Sequence, residues 1–200
     1  MSPSQAIERG FVLINWLAAR LNGLPVMDSV RNQLSAACLS IAQDHHAATI
    51  VLLERELYSS AVALVRPQYE AYVRGLWLAH CASDAQVQRF ASGGEPPKMA
   101  VMLLALEKIE AYKEGQLSKI KDESWSAMCS FTHTGALQVE RWLTKDAIEQ
   151  NFPPEDLVQT AQFTGSIAIL SGIGMAALAD NEQLAQELLE KAREHAKDEF

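Results

Sequence analysis

The chain has 200 residues, a formal net charge of −8 at neutral pH and a pI near 5.1. That length is enough to bury a proper core, and the chain is expected to form a single helical domain over 1–200. The acidic balance excludes nucleic-acid binding driven mainly by phosphate neutralisation over a broad basic surface, and leaves only a local basic patch for that role. Apolar residues make up 48% and charged residues 21%. Their spacing is helical almost throughout, with few β-branched runs.

Ser4 to Asn22 reads as the first helix, with Ile7, Phe11, Ile14, Leu17, Ala18 and Leu21 on its apolar face and Gly23-Leu24-Pro25 ending it. Asp28 is placed to cap a long second helix reaching about Leu57, with Leu34, Cys38, Ile41, His45, Ala48 and Leu52 as its buried stripe. Tyr58-Ser59-Ser60 reads as a break with a Ser N-cap. The stretch from Tyr58 to Cys81 is the most strongly patterned in the chain. On an ideal helix of about 100° per residue, Tyr69, Tyr72, Val73, Leu76, Trp77 and His80 share one stripe. Arg66 falls inside that stripe, Glu70 at its edge and Arg74 just outside. These three are successive i, i+4 neighbours, so Glu70 is placed between two guanidinium groups. An inward Arg needs a partner. The pair is read either as an ion pair locking helix register or as the lining of a polar pocket. Pro67 removes a backbone donor, so the helix either kinks and frees the carbonyl of Ala63 or restarts with Pro67 in its first turn; a kink is expected.

Asp84 is expected to cap a short helix to about Ala91, followed by the loop Ser92-Gly93-Gly94-Glu95-Pro96-Pro97. Lys98 to Tyr112 reads as a helix with Met99, Met102, Leu103, Leu106 and Ile109 inward. Another runs from about Ser118 to Thr132, with Gly135 at the left-handed cap position. Ala136 to Gln150 is expected to continue as helix. Asn151-Phe152-Pro153-Pro154 breaks it, and Pro154-Glu155-Asp156 opens the next. That helix carries Ala161, Gly165, Ala168, Gly172 and Ala176, small residues suited to close packing. Its stretch Leu157 to Ala179 has no formal charge but six polar side chains, and it reads as a core helix rather than a membrane span. The tail from Asn181 to Phe200 is amphipathic, with Leu184, Leu188, Leu189 and Ala192 inward and an end expected to fray.

The chemistry-bearing patterns are sparse. Cys38, Cys81 and Cys129 show no C-x-x-C spacing and read as reduced thiols of a cytoplasmic protein, and the N-terminus lacks the pattern of a signal peptide. No His follows a Glu by three residues, and H-E-x-x-H, Walker A and G-x-S-x-G are absent, so neither a metal nor a cofactor is expected. Of His45 and His46, which point about 100° apart on a helix, one is expected in the core and the other in solvent. His133 sits at a helix end among Ser130, Thr132 and Thr134, where the helix dipole favours an imidazolium. It is either a C-capping residue or an acid/base or anion contact facing Arg66 and Glu70. Trp125 and Trp142 flank it as pocket walls or as core.

Arg66-Pro67-Gln68-Tyr69-Glu70, Arg74-Gly75-Leu76-Trp77-Leu78 and Thr132-His133-Thr134-Gly135 resemble a group of bacterial helical proteins of uncharacterised function that share an Arg-x-x-x-Glu helix and a downstream His. That group in turn resembles the HEPN superfamily, over roughly residues 28 to 140. The resemblance implies an all-α, HEPN-like helical bundle of about seven to nine helices and a homodimer, with the helix at 157–179 or the central helix at its interface. Many HEPN proteins are metal-independent ribonucleases with an Arg followed by a His after four to six residues, and Arg74 and His80 match that spacing here, with Gly75 where a polar residue is usual. The candidate site residues are therefore His133, Arg66 and Glu70, and behind them Arg74 and His80. Three readings stand: a binding or regulatory module with an RNA or protein partner and a polar pocket at Arg66, Glu70 and His133; a ribonuclease in which Arg stabilises phosphate and His moves the proton; and a helical scaffold in which these residues are structural.

Overall fold

The computed structural model describes residues 1–197. In chain order it forms α1 (Pro3–Leu21), α2 (Val30–Glu54), α3 (Tyr58–Ala63), α4 (Val65–His80), α5 (Asp84–Ala91), α6 (Met99–Leu106), a 3-10 turn (Glu110–Tyr112), α7 (Gln116–Thr132), α8 (Ala136–Glu140), α9 (Pro154–Leu178) and α10 (Glu182–Lys197). Among the described residues there is no strand, only an isolated bridge between Leu143 and Ile148. Leu64 alone separates α3 from α4, so counting them as one interrupted helix leaves nine, within the expected range. The all-α bundle is borne out.

Several expected boundaries shift, each for a local reason. Ser29, not Asp28, caps α2, and Ser83, not Asp84, caps α5; both serines have extended backbones and accept from the amide three residues on. The second helix ends at Glu54, and Leu57 rather than a Ser precedes α3. The helix expected at 98–112 stops at Leu106 and resumes only as the 3-10 turn. The helix expected over 136–150 is confined to α8. Beyond it the chain folds back: the Asn151 amide donates to the Arg141 carbonyl at 2.8 Å, and that of Glu149 to Trp142 at 3.1 Å. The folded-back segment is tied to the start of α3. Trp142 Nε1 donates to Ser59 Oγ at 2.6 Å, and Gln150 joins the Glu56 carbonyl to the Tyr58 amide. Tertiary hydrogen bonds override helix propensity there.

The core forms where α2, α4 and α9 meet, with α1, α6 and α10 around them. On α2 Cys38 is buried as expected, but the rest of the buried stripe is one residue out of register: Ser35, Leu39, Ala42, His46, Thr49, Ile50 and Leu53 face inward, while Ile41 is exposed. On α1 the fully buried line is Ala6, Gly10, Leu13, Leu17 and Leu21, and Ile7, Phe11 and Ile14 pack half-buried on a second cluster. Both helices touch neighbours on more than one side, so a single-stripe reading picks the wrong centre line. On α9 the small residues do the expected work. Gly165 lies against Leu13 and the His195 ring, and Gly172 against Leu188 and Leu21. This helix is long and apolar enough to cross a membrane, and most of its apolar window is buried among the other helices.

Helix α4 is enclosed rather than amphipathic. Between Arg66 and Leu78 only Arg66, Pro67, Glu70 and Arg74 reach solvent, while His80, placed in the buried stripe by periodicity, is exposed. Two of its buried polar side chains bond to neighbouring carbonyls: Tyr69 donates to that of Leu117 at 2.5 Å and Gln68 Nε2 to that of Thr164 at 2.8 Å, while Gln68 Oε1 has no partner among the described residues. Ser35 Oγ donates to the Gly75 carbonyl at 2.8 Å, and a Cβ on Gly75 would meet Leu39 Cγ at 2.8 Å. Gly75 is therefore set by the close approach of α2. The break ahead of α4 falls at Leu64, with Pro67 the third residue of the new helix. Pro67 has no N–H for the Ala63 carbonyl. Thr132 Oγ1, at the end of α7, lies 3.2 Å from that carbonyl and 2.8 Å from that of Met128.

Thr132→Val should cost ~1 kcal/mol in denaturant unfolding, and less in a Pro67→Ala background, where a new amide takes the Ala63 carbonyl. His46, not His45, is the core histidine. Its Nδ1 lies 3.0 Å from Thr164 Oγ1, and its ionisation is depressed from the usual 6.5 to about 3, first by burial and then by the charge of His195. The unfolded chain binds this proton below about pH 6.5 and the folded chain only near pH 3. Stability from neutral His46 is therefore complete above pH 6.5 and lost as pH falls through that window, by up to ~5 kcal/mol. Unfolding midpoints measured from pH 7 to 3 should drop steeply, and His46→Phe should flatten the drop.

Candidate functional site

The first turn of α4 presents Arg66, and the next turn presents Glu70. Arg66 Nε donates to Glu70 Oε1 at 2.8 Å, with the side chains 20% and 26% exposed. That is the intermediate regime: shielded enough for the pair to hold its geometry, open enough that neither charge is stranded. From α7, His133 brings its Nε2 into contact with Arg66 Nη1. Trp125, two turns earlier on α7, lies under the guanidinium, with the Arg66 carbon 4.8 Å from its ring centroid. A guanidinium only donates, so His133 Nε2 is the acceptor and its ring proton sits on Nδ1. Arg66 Nη2 has no hydrogen-bond partner among the described residues, and His133 is exposed.

The backbone that carries His133 is strained. The end of α7 is a Schellman turn in which the Gly135 amide donates to the Ser130 carbonyl at 2.7 Å. The left-handed position of that turn is not Gly135, as expected, but Thr134, with φ of 53°. Gly135 is extended, and a Cβ there would meet Ser130 Oγ at 2.6 Å. Glycine is thus spent on a close approach, and a β-branched residue bears the left-handed conformation beside His133. Such strain costs on the order of 1–2 kcal/mol.

Arg66, Glu70 and His133 are therefore brought together, and Trp125 joins them as a stacking platform. The expected bridge from Glu70 to Arg74 does not form; among the described residues Glu70 bonds Arg66 only. Arg74 turns toward α2, where its Nε is buried without a hydrogen-bond partner among the described residues. It acts electrostatically on Cys38, whose thiol is nonetheless pushed up by burial. His80 sits beside Tyr112, with ring centroids 6.4 Å apart. The structure shows no contact between Arg74 and His80. Trp142 is exposed and bound to Ser59, away from Arg66. No group of three or more His, Cys, Asp or Glu among the described residues could hold a metal ion. The strained Thr134 escaped the sequence reading, because glycine two residues after His133 made the obvious left-handed candidate.

An all-α bundle with a half-buried Arg–Glu pair reached by a histidine from another helix defines the class of molecule. The chain belongs to a family of unknown function, DUF6988, whose model matches residues 39–199 and so spans α4, α7 and all the residues of this cluster. No curated protein and no solved structure matches the chain.

Thr134→Gly should raise stability by ~1 kcal/mol in denaturant unfolding, because it removes left-handed strain from a surface turn. Unchanged or lower stability would show that the conformation carries no cost.

Proposed function

We propose that this protein is a binding or regulatory module whose ligand site is the Arg66–Glu70–His133 cluster, and that the ligand carries a phosphate or carboxylate group. The observation behind this is the way Arg66 is held. Glu70 fixes Nε, Trp125 supports the guanidinium plane, His133 meets Nη1, and Nη2 is left over. A preorganised guanidinium needs little further ordering to receive an oxyanion, and the neighbouring exposed imidazole supplies a second hydrogen-bonding group. The acidic chain favours a small or locally recognised anion over a long nucleic acid. HEPN-like character, a homodimer, an RNA or protein partner and a cytoplasmic setting belong to the same proposal. A metal-independent ribonuclease is the second reading, favoured by the Arg–His contact, which pairs a phosphate-stabilising group with a proton carrier.

Thermal-shift titrations with inorganic phosphate, a nucleoside monophosphate and a short RNA test both. At least one of these should raise the melting temperature of the native chain. Arg66→Lys, which keeps the charge but loses the fork, should weaken that shift about tenfold in apparent affinity. His133→Ala, at an exposed position, should weaken it with little change in unliganded stability. RNA cleavage that survives EDTA and disappears in His133→Ala would favour the ribonuclease. If no probe shifts the native chain, the ligand site is lost and the cluster is a helix lock.

A further inference from the structure

A groove of about 540 Å³ lies where the first turns of α1 meet the end of α2 and Tyr58 at the start of α3. It follows from the way α1 is set into the bundle. Ala6, Gly10 and Leu13 are the buried line of that half of the helix. Ile7 and Phe11 are therefore left half-buried beside it, and Val12 is turned out to 60% exposure. These three, with Leu53 and Tyr58, form the apolar lining.

The charged part of the lining is of one sign. Glu8 comes from α1, Glu54 from the end of α2 and Glu56 from the turn after it, and no Lys, Arg or His lines the groove among the described residues. Glu8 and Glu56 make no ion pair there, and Glu54 meets only Arg55 Nε, at 3.8 Å and in solvent. The Tyr58 phenol is pushed above its usual 10, first by burial and then by the charge of Glu56, so that carboxylate lies within electrostatic reach of the ring. A carboxylate beside a tyrosine ring suits a Lys or Arg side chain, which gains from the charge and from the ring face together. A bare cation would leave Ile7, Phe11 and Val12 uncovered, and a purely apolar group would bring the three carboxylates no counter-charge. A second copy of this chain would bring a net charge of −8 to an already acidic edge.

We propose that this groove docks a cationic amphipathic segment of another protein, its apolar side chains on Ile7, Phe11, Val12 and Leu53 and its Lys or Arg side chains on Glu8, Glu54 and Glu56. The volume takes a few side chains, so the segment lays one apolar face along α1 while its basic residues reach the rim. The groove shares no residue with the Arg66 cluster, and the proposal is independent of the reading given to that cluster.

Three labelled synthetic peptides of about four helical turns separate the contributions: one with Leu on one face and Lys on the other, one with Glu in place of Lys, and one with Ser in place of Leu. Each is titrated with the full chain and followed by fluorescence anisotropy. The Leu–Lys peptide should bind saturably and more weakly as salt is added, with the other two at least about tenfold weaker. Glu8→Gln combined with Glu56→Gln should weaken it about tenfold, and Val12→Gln at least about threefold. All three positions are exposed, so the melting temperature should hold in these variants. Glu182→Gln combined with Glu190→Gln removes the same charge from α10, outside the groove, and should leave the affinity unchanged. An equal loss in that pair would reduce the binding to general attraction by an acidic chain. That result, no saturable binding of the Leu–Lys peptide, equal affinity for the three peptides, undiminished binding in the groove variants, or self-association of the free chain that Val12→Gln abolishes would each overturn the proposal.

Discussion

One carbonyl joins the two halves of the site. Pro67 cannot donate to Ala63, so the helix that would have run from Tyr58 to His80 loses a rung and restarts at Leu64. The free carbonyl is met by Thr132 Oγ1 from the last turn of α7. That contact fixes where α7 ends relative to where α4 begins. His133, the next residue, then falls against Arg66, the residue before Pro67. The break in one helix and the end of another are thus a single feature, and the cluster sits on it.

The rest of α4 explains why this spot is polar at all. The helix is walled by α2, α6, α7 and α9, and the close pass of α2 requires glycine at position 75. A helix buried on nearly every side leaves a seam where its neighbours fail to meet, and here the seam holds Arg66, Glu70 and Arg74. Arg66 and Glu70 satisfy each other across one turn. Arg74, one turn further, comes under α2 and loses its place in the chain of charges. The strained Thr134 fits the same picture, since the Schellman turn that ends α7 must both avoid Ser130 and present His133.

The two faces of α7 are unlike because its two neighbours are unlike. Toward α4 it is tied by Thr132, His133 and Trp125, through polar and stacking contacts of fixed geometry. Toward α9 it is hardly packed, and the folded-back segment after α8 fills part of the gap with Phe152 and Arg141 instead of a helix. That segment is where helical propensity misled most. Residues 141–150 have an acceptable helical composition, but Ser59, Glu56 and Tyr58 offer hydrogen bonds that a continuing helix would forgo.

The sequence by itself determined the all-α class, most element positions, the close-packing face of α9 and the i, i+4 pairing of Arg66 with Glu70. These depend on local spacing, and a helix turns neighbours three or four apart toward one another whatever else the chain does. It also marked His133 as a residue for the same cluster. Only the tertiary structure decided which stripes lie inside. Helices α1 and α2 each face several neighbours, so apart from Leu17, Leu21 and Cys38 their buried lines run one residue away from the apolar periodicity, and the core histidine is His46 rather than His45. It also decided that Trp125 lies under Arg66, that Arg74 and His80 stay apart, and that Thr134 rather than Gly135 takes the left-handed turn. Each of these depends on contacts between segments far apart in sequence, which periodicity along one helix does not encode.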